Sequence, residues 1–323
     1  MINRIPGIWR VKRFTKSIKT KLGSNIVKLK KYDSSNNHYI FSDPRGGSTW
    51  LMEIIKEITN EPVVWEPLHL KIKNNPFNNI NFGWRQNIPE NVEWNQAKEL
   101  FDGLFSGEIL VDNVMQNSNL SEILKSKSLL FKICRGNSVL PWIIKNYSFK
   151  NKPIYMIRHP FAIANSQLNH GAWNFPYTKF NIPKTPYNEN YKRHESFLKT
   201  LKTKEDALVA NWCISNIDTL KHIENNKKWI TIYYEDLVLN PEDTIDRIIK
   251  EWDLDYDLTL IDFEKNSKTT KNNTPSNKLK RLSAWQTSFK KDQIESMQNV
   301  LDYFNIDTYS KNNPLPERYE KEK

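Results

Sequence analysis

The segment Tyr39-Ile40-Phe41-Ser42-Asp43-Pro44-Arg45-Gly46-Gly47-Ser48-Thr49-Trp50-Leu51 runs from an apolar stretch into a Pro-Arg-Gly-Gly-Ser-Thr loop, and a helical pattern follows to Ile58. That is the layout of a buried strand, a tight loop and a helix N-terminus. Such a loop offers an anion several backbone N–H groups, two hydroxyls and one fixed positive charge. Gly46 and Gly47 permit positive φ and a close approach of the main chain. Ser48 and Thr49 can cap the helix and also donate to an anion. The same residues would equally make an ordinary Gly-Gly turn with a Ser/Thr cap if nothing else accompanied them. The phosphate-loop pattern G-x-x-x-x-G-K-[ST] and the dinucleotide pattern G-x-G-x-x-G are both absent.

A second element of the same kind lies downstream. Pro153 to Ile157 is a short apolar run that ends in Arg158-His159-Pro160, with a helical pattern continuing through Ser166 and His170. Ser166 stands eight positions after Arg158, about two helical turns along. Further strands are expected at Val63 to Trp65, Leu129 to Ile133 and Trp229 to Tyr233. Helices are expected at Thr49–Thr59, Ser138–Asn146, Phe161–Asn169, Lys204–Asn225, Pro241–Trp252 and Asp292–Phe304. Strands alternating with helices predict an α/β fold, a mostly parallel central sheet flanked by helices. Ligands of such sheets bind beyond the carboxyl ends of the strands, which puts the Arg45 loop and Arg158 on one rim.

These elements resemble the PAPS-dependent sulfotransferases, whose co-substrate is 3′-phosphoadenosine 5′-phosphosulfate (PAPS) and whose product is the bisphosphate PAP. The family's 5′-phosphosulfate loop, Pro-Lys/Arg-Ser-Gly-Ser/Thr-Thr-Trp, stands here as Pro44 to Trp50. Its 3′-phosphate pair, an Arg and a Ser eight residues on, stands as Arg158 and Ser166. Its Tyr-Glu-Asp-Leu element, followed by a Pro-Glu helix, appears as Tyr234 to Leu237 and Pro241-Glu242. The three motifs keep their order over roughly 200 residues. Gly46 replaces the usual Ser, and Arg45 the Lys of cytosolic members, as in carbohydrate-modifying relatives. The Lys-x-His segment of cytosolic members reads Lys132-Ile133-Cys134, so its His is missing.

The resemblance implies a P-loop, nucleoside-kinase-like sulfotransferase fold over residues 37–310, with a basic arm at 1–36 and a tail at 311–323. It implies that Arg45, Gly46, Gly47, Ser48 and Thr49 hold the 5′-phosphate and that Trp50 stacks near the adenine. Arg158 and Ser166 would bind the 3′-phosphate, and Tyr234 would neighbour the adenine. Lys278, Lys280 and Arg281 stand where the family brings late basic residues over the 3′-phosphate. Two bases are open. Glu66, in Trp65-Glu66-Pro67-Leu68-His69, resembles the Glu of carbohydrate sulfotransferases; a strand-end ion pair is its plainer role. His69 is the alternative, with a natural pKa near neutrality. Lys132 would sit on the sulfuryl oxygens or stand as a surface lysine, and Arg135 could meet an acidic acceptor. No metal is expected, because cationic side chains take its place.

The chain has 323 residues, 38% of them hydrophobic, with eleven Trp and a net charge of +11. That length can bury a sizeable core. The charge fits an anionic partner, yet no helix-turn-helix, zinc-finger or RNA-binding motif appears, so nucleic acid is not the expected ligand. No run of eighteen apolar residues offers a membrane span. Residues 1–31 mix Ile5, Ile8, Trp9, Val11 and Phe14 with Arg4, Arg10, Lys12, Arg13 and Lys16. This reads either as a frayed basic arm or as a helix lying on a membrane surface. Cys134 and Cys213 are the only cysteines, which fits a reducing, cytoplasmic setting. The expected acceptor is a hydroxyl, foremost on a glycan or glycolipid. The aromatic loops Lys71–Asn95 and Gly171–His194 would either stack on sugars or pack locally, and Lys265–Lys280 reads as a loop. A metal-using phosphotransferase and a non-catalytic binder of anionic polymers are the rival readings.

Overall fold

Five short strands form one parallel sheet in the computed structural model, which describes residues 6–317 apart from 73, 112–113 and 265–276, with side chains from residue 18 onward. The strands are β1 (His38–Ser42), β2 (Val63–Trp65), β3 (Leu130–Cys134), β4 (Ile154–Ile157) and β5 (Ile230–Tyr233), in the order β2-β3-β1-β4-β5. All five were legible as apolar runs, and each lies within one residue of its expected bounds. Every residue of β1, β3 and β4 is buried, as for parallel strands covered on both faces.

Alternation along the strands divides the core in two. Tyr39, Phe41, Phe131, Ile133, Tyr155 and Ile157 point to one face. That face is covered by α3 (Asn95–Phe105), α5 (Leu140–Asn146), α6 (Pro160–Leu168) and α9 (Lys204–Leu220), with α14 (Lys291–Tyr303) outside α9. Ile40, Leu130, Ile154, Met156, Ile230 and Ile232 point to the other, beneath α2 (Ser48–Thr59), α10 (Tyr234–Leu239) and α11 (Pro241–Glu251). The remaining helices are α1 (Pro6–Lys30), α4 (Leu120–Lys125), the single turns α7 (Glu189–Lys192) and α8 (Glu195–Leu198), α12 (Lys278–Leu282) and α13 (Ala284–Ser288).

The structure decides between the expected alternatives at two places and shortens one helix. Residues 6–30 form a continuous helix and not a frayed arm, because Val27 is fully buried and Gly23 lets Ile123 of α4 come within contact. The segment Lys71–Asn95 is irregular as expected, but Phe77, Phe82 and Trp94 are packed into the core; Phe180 and Tyr191 of the second aromatic stretch are buried likewise. Local packing therefore accounts for most of those aromatics. Helix α9 stops at Leu220, short of the expected Asn225. The expected loop Lys265–Lys280 falls largely outside the described residues. Its described end leads into α12, which the Asn277 side chain caps.

Candidate active site

Each strand ends in a residue of the candidate site. After β1 the chain turns at Arg45 (φ 73°) and Gly47 (φ 95°) into α2. The turn admits no side chain at either glycine. A Cβ on Gly46 would lie 2.4 Å from the Ser42 hydroxyl, and one on Gly47 only 2.2 Å from the Tyr234 ring. Among the described residues no side chain caps α2; the Trp50 N–H turns back to the Gly47 carbonyl at 3.0 Å, and the Ser48 and Thr49 amides stay available to an anion. Ser48 is buried, with its hydroxyl 3.8 Å from the Cys134 sulfur.

Arg158, at the end of β4, donates from Nη1 to the main-chain carbonyl of Arg45 at 3.0 Å. Its guanidinium lies 4.3 Å over the ring of Tyr234, the first residue after β5. Arg45 Nε in turn donates to Ser166 Oγ at 3.1 Å. Helix α6 therefore folds back over the strand end, and the four residues Arg45, Arg158, Ser166 and Tyr234 meet on one rim. Burial, and then the neighbouring Arg158, pull the Arg45 pKa down; Glu66 and Tyr234 oppose them. Two fixed cations held this close to each other prefer an anion between them. Arg158 Nε and Arg281 Nε are both buried with no hydrogen-bond partner among the described residues. Both are donors left over for a ligand.

Arg281 comes from α12, and its guanidinium stands 5.8 Å from the Trp50 ring. It joins α2 and the Arg45 loop. Lys278 does not: it faces Glu264 at 3.8 Å and lines a separate cleft of about 510 Å³ with Glu242, Asp243 and Asp262. Four carboxylates make that cleft the wrong sign for a bisphosphate. Lys280 is exposed, its main-chain N–H capped by Asn277. Trp50, in the first turn of α2, is partly buried against the core beneath that helix.

The ends of β2 and β3 build a second cluster. Lys132 is buried to 2% exposure, which excludes the surface role. Its ammonium donates to Glu66 Oε1 at 2.6 Å and lies 3.2 Å from Cys134 Sγ and 4.2 Å over the Trp65 ring. Arg135 reaches the other oxygen of Glu66 at 3.4 Å and stacks on Trp84 at 4.6 Å. Burial alone would raise the Glu66 pKa, but Lys132 and then Arg135 outweigh it and hold the carboxyl down at about 2. Glu66 is thus an ion-pair partner in this state, the plainer of its two expected roles. His69 packs edge-on against Trp84 at 5.2 Å, and its buried Nδ1 finds no partner among the described residues. Burial and the Arg135 charge lower its pKa, so it is neutral at pH 7.

Beneath both clusters lies Asp43. Asn216 and Asn137 donate to its Oδ2 at 2.7 and 3.2 Å, and Arg85 Nε sits 3.9 Å from Oδ1. Burial raises its pKa; Arg85, Asn216 and Arg135 oppose that rise. Arg45, Glu66, Arg85 and Arg135 all carry positive φ, between 45° and 73°. Left-handed backbone at four charged non-glycine residues is strain gathered in one place, as at functional sites generally. The sequence reading missed Asp43, Trp84 and Arg85. Asp43 lies inside the quoted loop but carries no signal of its own, and Trp84-Arg85 sits in a stretch with no period. Among the described residues no group of three His, Cys, Asp or Glu side chains could hold a metal ion.

No curated protein matches the chain. Solved structures resemble it weakly, among them the following. The sulfotransferase domain from the curacin biosynthetic pathway is 14% identical, with a TM-score of 0.44 over 84% of this chain and 97% of that one. Mouse sulfotransferase SULT7A1 complexed with PAP is 13% identical, with a TM-score of 0.43 over 90% of each chain. The sulfotransferase domain of the Synechococcus PCC 7002 olefin synthase is 17% identical, with a TM-score of 0.41 over 83% and 96%. The family model for the sulfotransferase domain matches residues 36–311, well over half of the chain, and so this protein belongs to the sulfotransferase family.

Proposed function

We propose that the protein moves a sulfuryl group from PAPS to a hydroxyl, and that the hydroxyl belongs to a carbohydrate. The observation that carries the co-substrate is the Arg158–Arg45 contact, which sets two guanidinium-bearing turns side by side. The residues fit a doubly phosphorylated adenosine. The uncapped start of α2 suits the 5′-phosphate. The orphaned Nε of Arg158 and of Arg281 suit the 3′-phosphate, with Ser166 beside them. Arg grips a phosphate with two donors, so Arg158 is the residue that separates PAP from AMP.

When bound, PAPS supplies the sulfuryl group and the bisphosphate leaving group. The chain's own part is positioning and charge. Arg45 and the α2 amides neutralise charge on the departing 5′-phosphate. Lys132 serves the sulfuryl oxygens, and that duty bears on the base. As long as Lys132 holds Glu66, the carboxylate accepts a proton poorly. An anion that draws the ammonium away restores its basicity. Glu66 is therefore the proton acceptor in this proposal, gated by Lys132. His69 is the second reading, favoured by its neutral ring and unpartnered Nδ1. The carbohydrate acceptor rests on the Trp65-Glu66-Pro67 segment and on Trp84, an aromatic face held beside Glu66 by Arg135.

Calorimetric titration with PAP, AMP and ATP tests the co-substrate. PAP should bind at least tenfold more tightly than AMP; equal binding of the two overturns the assignment. Radiolabelled PAPS offered with neutral sugars, phenols and lipids then tests the acceptor class.

A further inference from the structure

We propose that α1 is an amphipathic anchor that lies on an anionic lipid surface. The helix has eight Lys or Arg residues and no acidic residue. Its C-terminal half docks through one face only. Thr20, Gly23 and Val27 are buried there, and Lys30 Nζ donates to the carbonyls of Ile123 and Leu124 at 2.9 and 3.0 Å. The opposite face carries Ile18, Leu22 and Leu29, which are 51%, 47% and 84% exposed. At about 100° per residue these three fall within about 40° of one line along the helix. In the sequence the same spacing runs back through Phe14, Val11 and Ile8.

The flanks supply the charge. Lys19 stands to one side of the apolar line, Lys21 and Lys28 to the other, and all three are exposed. An apolar stripe edged by lysines suits the boundary between acyl chains and anionic headgroups, where the lysine stems reach outward to the phosphates. A second protein would have to present carboxylates along both edges of an apolar groove. A bilayer with anionic lipid presents negative charge everywhere. Leu124 of α4, whose carbonyl accepts from Lys30, is exposed as well.

Placement favours the same partner. Helix α1 leads into the start of β1, and Val27 contacts the region around Gly107 and Leu129, just before β3. The candidate active site lies at the other ends of these strands. A membrane on α1 leaves that rim open.

Flotation of the full chain with vesicles tests the proposal. Phosphatidylcholine vesicles should capture little protein, and vesicles that also contain phosphatidylserine should capture most of it, with capture falling steeply as salt rises. Ile18→Glu with Leu22→Glu should weaken capture by on the order of tenfold or more, and so should Lys21→Glu with Lys28→Glu. Circular dichroism and PAP titration report that each variant is folded; if one pair fails to fold, the other carries the test. Equal capture by both vesicle types, or unchanged capture of a folded variant, overturns the proposal. So does a dimer that the Ile18/Leu22 change breaks while vesicle capture stays the same. PAP binding is independent of all these outcomes, so failure here leaves the proposed reaction standing, and the reverse.

Discussion

Arg158 donates to the carbonyl of Arg45 at 3.0 Å, although the two residues lie 113 positions apart in the chain. The bond ties the turn after β4 to the turn after β1, and neighbouring parallel strands make it possible: Ser42 is paired with Met156. Arg158→Ala removes this tie and, on the proposed reading, a phosphate ligand. PAP affinity should fall roughly ten- to a hundredfold, the scale of a charged hydrogen bond. AMP affinity should change much less. Calorimetry on a folded variant decides, and an unchanged preference for PAP would sink the role of Arg158. Arg158→Lys should recover only part of the loss, because a point charge cannot reach the Arg45 carbonyl and a phosphate together.

Gly47 and Tyr234 interlock. Gly47→Ala puts a methyl group into the Tyr234 ring and asks an L-residue to adopt φ 95°. Urea unfolding should show a loss of about 1–3 kcal/mol. The ring must also leave Arg158, so PAP binding should weaken. Adding Tyr234→Ala removes the clash and leaves only the backbone strain. The pair should therefore be less destabilised than the sum of the two single changes. Simple additivity would mean that the loop moves and the ring does not.

The sheet was legible because every strand is an apolar run punctuated by a loop, and the rim followed from parallel topology. The Arg45, Arg158 and Tyr234 turns were legible because their residues are close in sequence to strand ends. Arg85 and Trp84 were not. They reach the site from an irregular segment whose path is set by burial of Phe77, Phe82 and Trp94, and nothing local records where such a segment returns. Lys132 was visible as a site residue but its burial was not, because a lysine in a strand reads as an edge. The ion pair that tolerates it, Glu66, lies 66 positions away. Helix α1 was obscured by its charge. Its buried face is narrow, with Gly23 and Val27 at its centre.

Lys132 should control the acid limb of activity. With Glu66 held at about 2, loss of kcat/KM by protonation of a Glu66 base lies below the range in which the fold survives. Lys132→Met removes the largest lowering influence and should bring that limb up into measurable pH, together with a large fall in turnover. Under the His69 reading the wild type already shows a limb below 6.5, because burial lowers the imidazole pKa. His69→Asn would then abolish activity, and Lys132→Met would leave the limb near its place. A pH–rate profile of the three proteins separates the two bases.

Glu235 should set a loss of stability toward alkaline pH. It is buried at the start of α10, where its oxygens accept from the His159 N–H at 3.0 Å and the Tyr309 hydroxyl at 2.9 Å. Burial raises its pKa to about 7, against the lowering pull of those donors and of Arg158. The native state thus binds this proton more tightly than the unfolded chain, whose carboxyl titrates near 4.5. Its stabilising contribution is complete below about 4.5 and is lost as pH rises through about 7. Glu235→Gln should flatten the slope of unfolding free energy across that window. His159 works in the opposite sense. Buried among Trp285, Phe161 and Tyr309, its pKa is pushed down to about 3, so its stability contribution is lost as pH falls from 6.5 toward 3. The Glu235→Gln variant should keep that acid-side slope. Urea midpoints at a series of pH values measure both. A slope between pH 5 and 7 that is identical in the variant would mean that the carboxyl is ionised in the native state, a buried charge held by the His159 N–H, the Tyr309 hydroxyl and the Arg158 charge.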